Sequence, residues 1–358
     1  MYTRSFDPTL GGIPPLIDRS RSYLLRKIRL LIGNSHGSQG LHIDPESTPP
    51  PDVPRWSEGI TSLEGADLSP SMHLLADALR PPDGGTVREG VLGDLSDHYG
   101  LTVEECLAAC LDWETWSVAE WSAADRSDPD GLRDFYRELT SWSFDLIWYA
   151  YLQAEGYALP MPVLVADFLA GRGVRHGVQV DFGSGVGVTS QVFDALGWET
   201  VAADIADGLL EFAEYRLRRR DARTSFVNLN HETIDVRADA ITAFDVLAHV
   251  PDFDETIGEL HQLLRPNGWL FATFDARPSG AAESAWHLYD EEWDMCWRTE
   301  RAGFVQRDTI GAIRCYQRVE PGTHRFAKAR AAAVHANPAL LAARRFARQA
   351  ERRLRPPG

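Results

Sequence analysis

A short run near the middle of the chain has the residue types and spacing that chemistry needs. Gly183, Gly185 and Gly187 recur at every second position, and Asp181 stands two residues before the first of them. Glycine tolerates backbone conformations that other residues avoid, and it lets a ligand lie against bare main chain. Asp204 follows seventeen residues after Gly187. A carboxylate at the end of a second strand can accept both hydroxyls of a ribose lying across the sheet edge. Downstream stand His249, His287 and Asp252, side chains of the types that serve as general bases, and these three are the candidates for that role. The glycine turn and the acid predict a nucleotide-type ligand.

The elements that must position these groups can be read around them. Val178, Val180 and Phe182 alternate with Gln179 and Asp181, which suits a buried strand. Val188, Val192, Phe193 and Leu196 have helical spacing, so a helix begins at once near Thr189. Strand, glycine turn and helix make the first half of a nucleotide-binding βαβ unit. The dinucleotide fingerprint G-x-G-x-x-G would need a third glycine at Val188 or at Ser190, so a nicotinamide oxidoreductase is disfavoured. The run D-x-G-x-G-x-G that stands here instead resembles the first motif of the class I methyltransferases that use S-adenosylmethionine. In that family the acidic residue and the glycine loop hold the methionine end and the sugar of the cofactor.

The resemblance continues in order over about 165–320, under half of the chain. Glu199 to Asp204 reads as the second strand, and ADIADGLLEFAEYRLRRR resembles the family's second motif. Asp207 is placed to cap the following helix, with Leu209, Phe212 and Ala213 facing inward. SFVNLN, Ser225 to Asn230, reads as the third strand. The resemblance implies that Asn230 takes the adenine amino group where the family commonly has Asp, with Asn228 the alternative register. Asp239 to Leu247 reads as the fourth strand. FDVLAHVPD, a helix and LLRPNGWLF closely resemble motifs IV to VI, so the loop Asp245–Asp252 is expected to face the sulfonium methyl. Ala248 stands where the family usually has Glu. Arg265-Pro266-Asn267-Gly268 is expected to stop the helix with left-handed turn formers. Trp269 to Phe274 reads as the fifth strand, and an antiparallel hairpin follows a further helix.

The expected fold is α/β: a Rossmann-like class I methyltransferase domain with a seven-stranded, mostly parallel sheet, its last strand antiparallel, preceded by an N-terminal helical domain. The implied cofactor is S-adenosyl-L-methionine, held by Asp181, Gly183, Ser184, Gly185, Gly187, Asp204, Ile205, Asn230, Asp245 and Leu247. The expected activity is methyl transfer to a small-molecule acceptor of flat or sugar-like shape, from secondary metabolism or glycan modification, with O-methylation as the default. A catalytically silent fold that binds a partner is the alternative, ahead of an oxidoreductase.

The flanking segments divide the chain into an arm at 1–59, an aromatic-rich helical cap at 60–160, the methyltransferase domain at 161–320 and a tail at 321–358. Thr102 and Glu105 have the spacing of a capping box. Tyr149 and Tyr151 are candidates for the acceptor pocket by analogy with family members that carry a helical segment ahead of the glycine loop. Arg19 to Ile32 and the Ala- and Arg-rich tail from Arg325 to Arg355 read as basic helices, which leaves a peripheral membrane or protein contact, and a homodimer, open. The net charge of −16 over 358 residues argues against nucleic acid as a partner. Four scattered cysteines suggest neither a disulfide framework nor a metal site, and Cys106 and Cys110 are expected as buried thiols. The N-terminus lacks the apolar core of a signal peptide, and the default compartment is the cytoplasm.

Overall fold

The computed structural model describes residues 69–124, 129–276 and 287–319. Both anticipated basic terminal helices lie outside the described residues. At the centre is a seven-stranded sheet of order β3-β2-β1-β4-β5-β7-β6. Its strands are β1 Val178–Phe182, β2 Glu199–Asp204, β3 Ser225–Asn228, β4 Ala238–Ala243, β5 Leu264–Ala272, β6 Phe304–Ile310 and β7 Ile313–Arg318. The ladders from β3 to β5 are parallel, and β7 runs antiparallel to both of its neighbours. β1 and β4 are almost wholly buried, as strands covered on both faces must be. Because β2 leaves β1 on one side and β4 lies on the other, the strand order reverses between β1 and β4. Ligands of open α/β sheets bind outside the carboxyl ends of the strands at such a point.

Three strands are shorter or longer than their sequence suggests, each for a local reason. β3 stops at Asn228, paired with Asp204, because the Asn228 side-chain oxygen accepts the Asn230 N–H at 3.0 Å and turns the chain. β4 ends at Ala243 rather than Leu247. There Asp245 adopts a left-handed φ of 51°, and its N–H donates to Thr273 Oγ1 at 2.7 Å instead of extending the ladder. β5 begins at Leu264, opposite Ala238, and then skips to Trp269 opposite Ala240. The intervening RPNG segment bulges out of the ladder. Asn267 takes the expected left-handed conformation, φ 65°. A Cβ on Gly268 would lie 2.9 Å from the Arg265 carbonyl oxygen, so the bulge closes only over glycine.

Seven helices precede β1 among the described residues: α1 Ser69–Leu79, α2 Val87–Tyr99, α3 Val103–Leu111, α4 Trp113–Ala123, α5 Pro129–Glu138, α6 Trp142–Ala154 and α7 Met161–Gly171. The capping box at α3 forms as its sequence predicts: Thr102 Oγ1 accepts the Glu105 N–H, and Glu105 accepts the Thr102 N–H. Leu75, Leu79, Val91, Leu95, Cys106 and Ile147 fill a core that runs without a break into Val186, Val192 and Phe212 beside the sheet. The cap helices thus share their core with the glycine loop and with the helices that follow β1 and β2. Cys106 and Cys110 are free and buried in it, and burial pushes the Cys106 thiol up to about 11.

The remaining helices are α8 Val188–Ala195, α9 Asp207–Arg218, α10 Phe253–Leu263 and α11 Glu292–Arg301. Asp207 does not cap α9: its carboxylate accepts the side-chain amides of Asn228 at 2.7 Å and Asn230 at 3.3 Å, tying the ends of β2 and β3 together. No helix among the described residues is long and apolar enough to cross a membrane.

Candidate active site

The carboxyl ends of β1, β2 and β4 bring together most of the residues singled out by the sequence. Gly183, Gly185 and Gly187 have φ values of 69°, 51° and 75°, all left-handed, which is the conformation the alternating glycines are there to allow. Gly183 N–H and Ser184 N–H both donate to the Ala203 carbonyl, at 2.8 and 3.1 Å, so the loop is stapled to β2. A Cβ on Gly185 would lie 2.7 Å from Leu146 of α6, and one on Gly183 would run into Val246. The bare main chain therefore lets neighbouring branched side chains lie against it in this structure.

Two buried carboxylates flank the loop. Asp204 turns toward it: Oδ2 accepts the Gly185 N–H at 2.7 Å and Oδ1 accepts the Ala206 N–H at 2.9 Å. Burial raises its carboxyl above the ordinary range, opposed by the N–H groups of Ala206, Gly185 and Ile205. The β1–β4 register sets Asp181 beside Thr242, whose hydroxyl donates at 2.7 Å, while Ser190 donates to the other oxygen at 3.3 Å. Burial pushes Asp181 up to about 7, against those hydrogen bonds and with a smaller contribution from Asp204. The Ser184 hydroxyl between them is buried without a hydrogen-bond partner. A buried polar atom left unsatisfied is costly, and a bound ligand is one way to satisfy it.

The other cofactor candidates fall into two groups. Asp245 is exposed at the mouth of β4, with the buried Leu247 two residues on. Tyr149 keeps 37% of its surface open. Burial, followed by the Asp245 and Asp145 carboxylates, drives its phenol upward. Ile205 packs on the cap cluster of Trp121, Phe135, Tyr136 and Leu139. The Asn230 amide donates to the Ile205 carbonyl at 2.7 Å, and its side-chain oxygen accepts from Arg133 of α5 at 3.2 Å. The oxygen expected to face adenine thus has a cap arginine on it. Tyr151 is not brought to the cleft; it stacks against Trp148 at 4.6 Å in the cap core.

Beyond the glycine loop lies a cluster of aromatic and titratable side chains. Val246 rests on Gly183, and three residues later His249 closes a turn through its N–H to the Val246 carbonyl, at 2.9 Å. On α6, Leu146 meets Gly185 while Trp142 packs edge-on against His249 at 5.5 Å. These two contacts are one helical turn apart, about 6 Å along the axis. Tyr136 of α5 hydrogen-bonds to His249 Nδ1 at 3.4 Å. His287 lies 4.8 Å from His249 between ring centres, and its Nε2 is 3.4 Å from Asp275 Oδ2. The loop is braced from behind, where Leu288 N–H donates to the Ala248 carbonyl and the Tyr289 hydroxyl to the Val250 carbonyl at 2.7 Å. Asp252 stands apart, exposed and accepting the Glu255 N–H at 3.4 Å as the N-cap of α10.

Sequence reasoning did not single out Asp275, Tyr136, Trp142 or Thr242 for this site. Thr242 was detectable only through its pairing with Asp181, Tyr136 and Trp142 only through the docking of α5 and α6, and Asp275 only through its meeting with His287. No group of three or more His, Cys, Asp or Glu able to hold a metal ion occurs among the described residues. An acidic groove of about 640 Å³, lined by Asp207, Glu211, Glu214 and Glu232, runs along the β3 edge outside this crevice.

Comparison with known proteins bears on the same region. Residues 180–270 match the family model described as "Methyltransferase domain". A ubiquinone biosynthesis O-methyltransferase of Leptothrix cholodnii is 27% identical over 113 residues, covering 30% of this chain and 48% of the relative. One of the same name from Xanthomonas campestris pv. campestris is 30% identical over 122 residues, covering 32% and 51%. The chain therefore spans about half the length of the curated relatives it matches. The crystal structure of magnesium protoporphyrin IX methyltransferase from Synechocystis PCC 6803 with bound SAM aligns at 19% identity and a TM-score of 0.40, covering 49% of this chain and 84% of that one.

Proposed function

We infer, from a chain whose residues 180–270 are a class I, S-adenosylmethionine-dependent methyltransferase domain, that the protein transfers a methyl group to the hydroxyl of a small-molecule acceptor. One observation carries the reading. Asp204 aims its carboxylate at a loop of three left-handed glycines, next to a buried Ser184 hydroxyl that no protein group satisfies. The residues present fit the cofactor: Asp204 for its ribose, the Gly183–Gly187 backbone and Ser184 for its sugar and methionine end, and Asp181 for its ammonium. When bound, S-adenosylmethionine supplies a methyl carbon already activated by the sulfonium. The protein then has to align the acceptor with that carbon and exclude water, which can contribute about 7–11 kcal/mol through proximity alone. The β4 loop from Asp245 to His249, with α6 laid over the glycines, supports that role. Full-length protein titrated calorimetrically with S-adenosylhomocysteine is expected to bind one equivalent; no binding would remove the reading.

The state of Asp181 makes that binding depend on pH. A carboxyl raised to about 7 is mostly protonated below pH 6 in the free protein. The cofactor's ammonium prefers the carboxylate, so binding must release the proton. Affinity for S-adenosylhomocysteine is expected to fall roughly tenfold between pH 7 and pH 5.5, with close to one proton released at the lower pH. The sign is opposite to that of a salt-bridged carboxylate. Raising the pH from 3.8 through 7 ionises Asp181 against its burial, and so weakens the unliganded fold. Calorimetry in two buffers of different ionisation enthalpy measures the proton, and a flat affinity with no proton released would exclude Asp181 from the ammonium.

A further inference from the structure

The methyltransferase reading leaves open which group receives the acceptor's proton, and this inference rests on that reading. Two of the three candidate bases are compromised. Asp252 is a solvent-facing helix cap, and His249 has at its Nδ1 the neutral Tyr136 hydroxyl, 3.4 Å away, rather than a carboxylate to hold one tautomer. His287 differs from both. Its side chain is 4% exposed, with Asp275 Oδ2 on one side at 3.4 Å from Nε2. Its Nδ1, across the ring, is buried with no hydrogen-bond partner. An imidazole beside a carboxylate carries its proton on the nitrogen that faces the carboxylate, which leaves the other nitrogen with its lone pair free.

We propose that His287 is the catalytic base for a phenolic acceptor, with Asp275 as the residue that fixes its tautomer. The acceptor's hydroxyl proton passes to His287 Nδ1 while its oxygen forms the bond to the methyl carbon. The C–S bonding pair stays on sulfur as a neutral thioether, so the single positive charge moves from the sulfonium to the imidazolium beside Asp275. Asp275 stabilises that charge, as a carboxylate does behind any imidazole that accepts a proton. The acceptor class follows from two features. A neutral imidazole is a base better matched in acidity to a phenol than to an aliphatic alcohol. Trp142 and Tyr136, packed against His249, supply aromatic surface suited to a flat ring. Among the described residues, the titratable groups that face His287 directly are Asp275 just beyond β5 and His249 in the β4 loop, with Tyr136 of α5 behind His249.

Two measurements on the full chain test this. The first needs no acceptor: with ¹⁵N-histidine labelling and S-adenosylhomocysteine bound, long-range proton–nitrogen correlation spectra report each tautomer, and His287→Gln identifies the signal. At pH 7.5 the wild type is expected to show the Nε2–H form, and Asp275→Asn to shift the population away from it. An Nδ1–H form, or a tautomer indifferent to Asp275→Asn, overturns the proposal. The second compares methylation of catechol, whose hydroxyl is protonated at that pH, with 4-nitrocatechol, which is largely ionised. His287→Gln is expected to slow catechol at least 100-fold and 4-nitrocatechol less than about tenfold, since general-base help contributes about 10²–10⁴. S-adenosylhomocysteine affinity should stay within threefold in both variants. Equal losses for the two phenols, or none, overturn the base assignment while the methyltransferase reading stands. Methylation of neither phenol by the wild type overturns the phenolic acceptor, and failure of the wild type to bind S-adenosylhomocysteine overturns the methyltransferase reading instead.

Discussion

Asp204→Asn weakens binding of S-adenosylhomocysteine roughly 30- to 150-fold, while the protein stays folded. The carboxylate is 8% exposed and makes its two protein hydrogen bonds with different oxygens, one to Gly185 N–H and one to Ala206 N–H. A ribose presents two hydroxyl donors to the same group, and hydrogen bonds to a charged acceptor are worth about 1.5–3 kcal/mol each. Asparagine keeps the shape and one acceptor oxygen but loses the charge and the second acceptor. A loss of about 2–3 kcal/mol follows, at tenfold per 1.4 kcal/mol. The fold suffers less because the native charge already sits in surroundings that disfavour it, as its raised carboxyl shows. Removing that charge offsets much of the lost hydrogen bond to the loop. Calorimetric titration of the two proteins measures the change, with Asp252→Asn as a control expected to move affinity less than twofold. If Asp204→Asn binds as tightly as the wild type, the ribose does not lie where the glycine loop and β2 converge.

The second large effect concerns what holds the cap on the sheet. Arg216 of α9 is fully buried; it donates to Asp94 of α2 at 3.2 Å, to the Val186 carbonyl at 2.7 Å and to the Gln191 side-chain oxygen at 3.3 Å. Burial pulls its guanidinium down to about 10, so it remains charged at neutral pH. Arg220 and Arg219 reach the same carboxylate at 2.8 and 3.4 Å. Asp94→Ala strips the carboxylate from a charge that cannot reach water, a change that costs about 3–5 kcal/mol. Arg216→Met removes the buried charge itself, keeps much of the volume, and leaves Asp94 paired with Arg219 and Arg220. It is expected to cost about 1–3 kcal/mol, mainly from the unsatisfied Val186 carbonyl. Urea unfolding of the full chain orders the two, and equal destabilisation would show that the cluster does not act as a buried pair. Val186 belongs to the glycine loop, so Asp94→Ala is also expected to weaken cofactor binding through Arg216.

The two variants differ in how far they were foreseeable. Asp204 is legible because its role depends on what is local: a strand of alternating pattern, its end, and a fixed distance from a glycine turn. Asp207 looked equally legible as a helix cap, yet α9 has Ala206 at its N-cap position, and the Asp207 carboxylate, already in the first turn, accepts from Asn228 and Asn230. Tyr149 and Tyr151 were indistinguishable as candidates. Two positions apart on one helix they face different ways, and the docking of α6 leaves Tyr149 exposed while Tyr151 packs on Trp148.

By itself the sequence determined the order of strands and helices, the left-handed glycine turn, the capping box at Thr102 and the pair of acids at the ends of β1 and β2. These follow from hydrophobic period, backbone permissiveness and spacing, all of which act within a dozen or so residues. Tertiary structure alone decided that Thr242 would hold Asp181 across 61 positions, that Asp94 would hold Arg216 across 122, and that Asp275, His287, His249 and Tyr136 would form one file of side chains. Such contacts depend on the register between parallel strands and on the rotation of docked helices. Both are set by the packing of the whole interior, which no short stretch of the chain encodes.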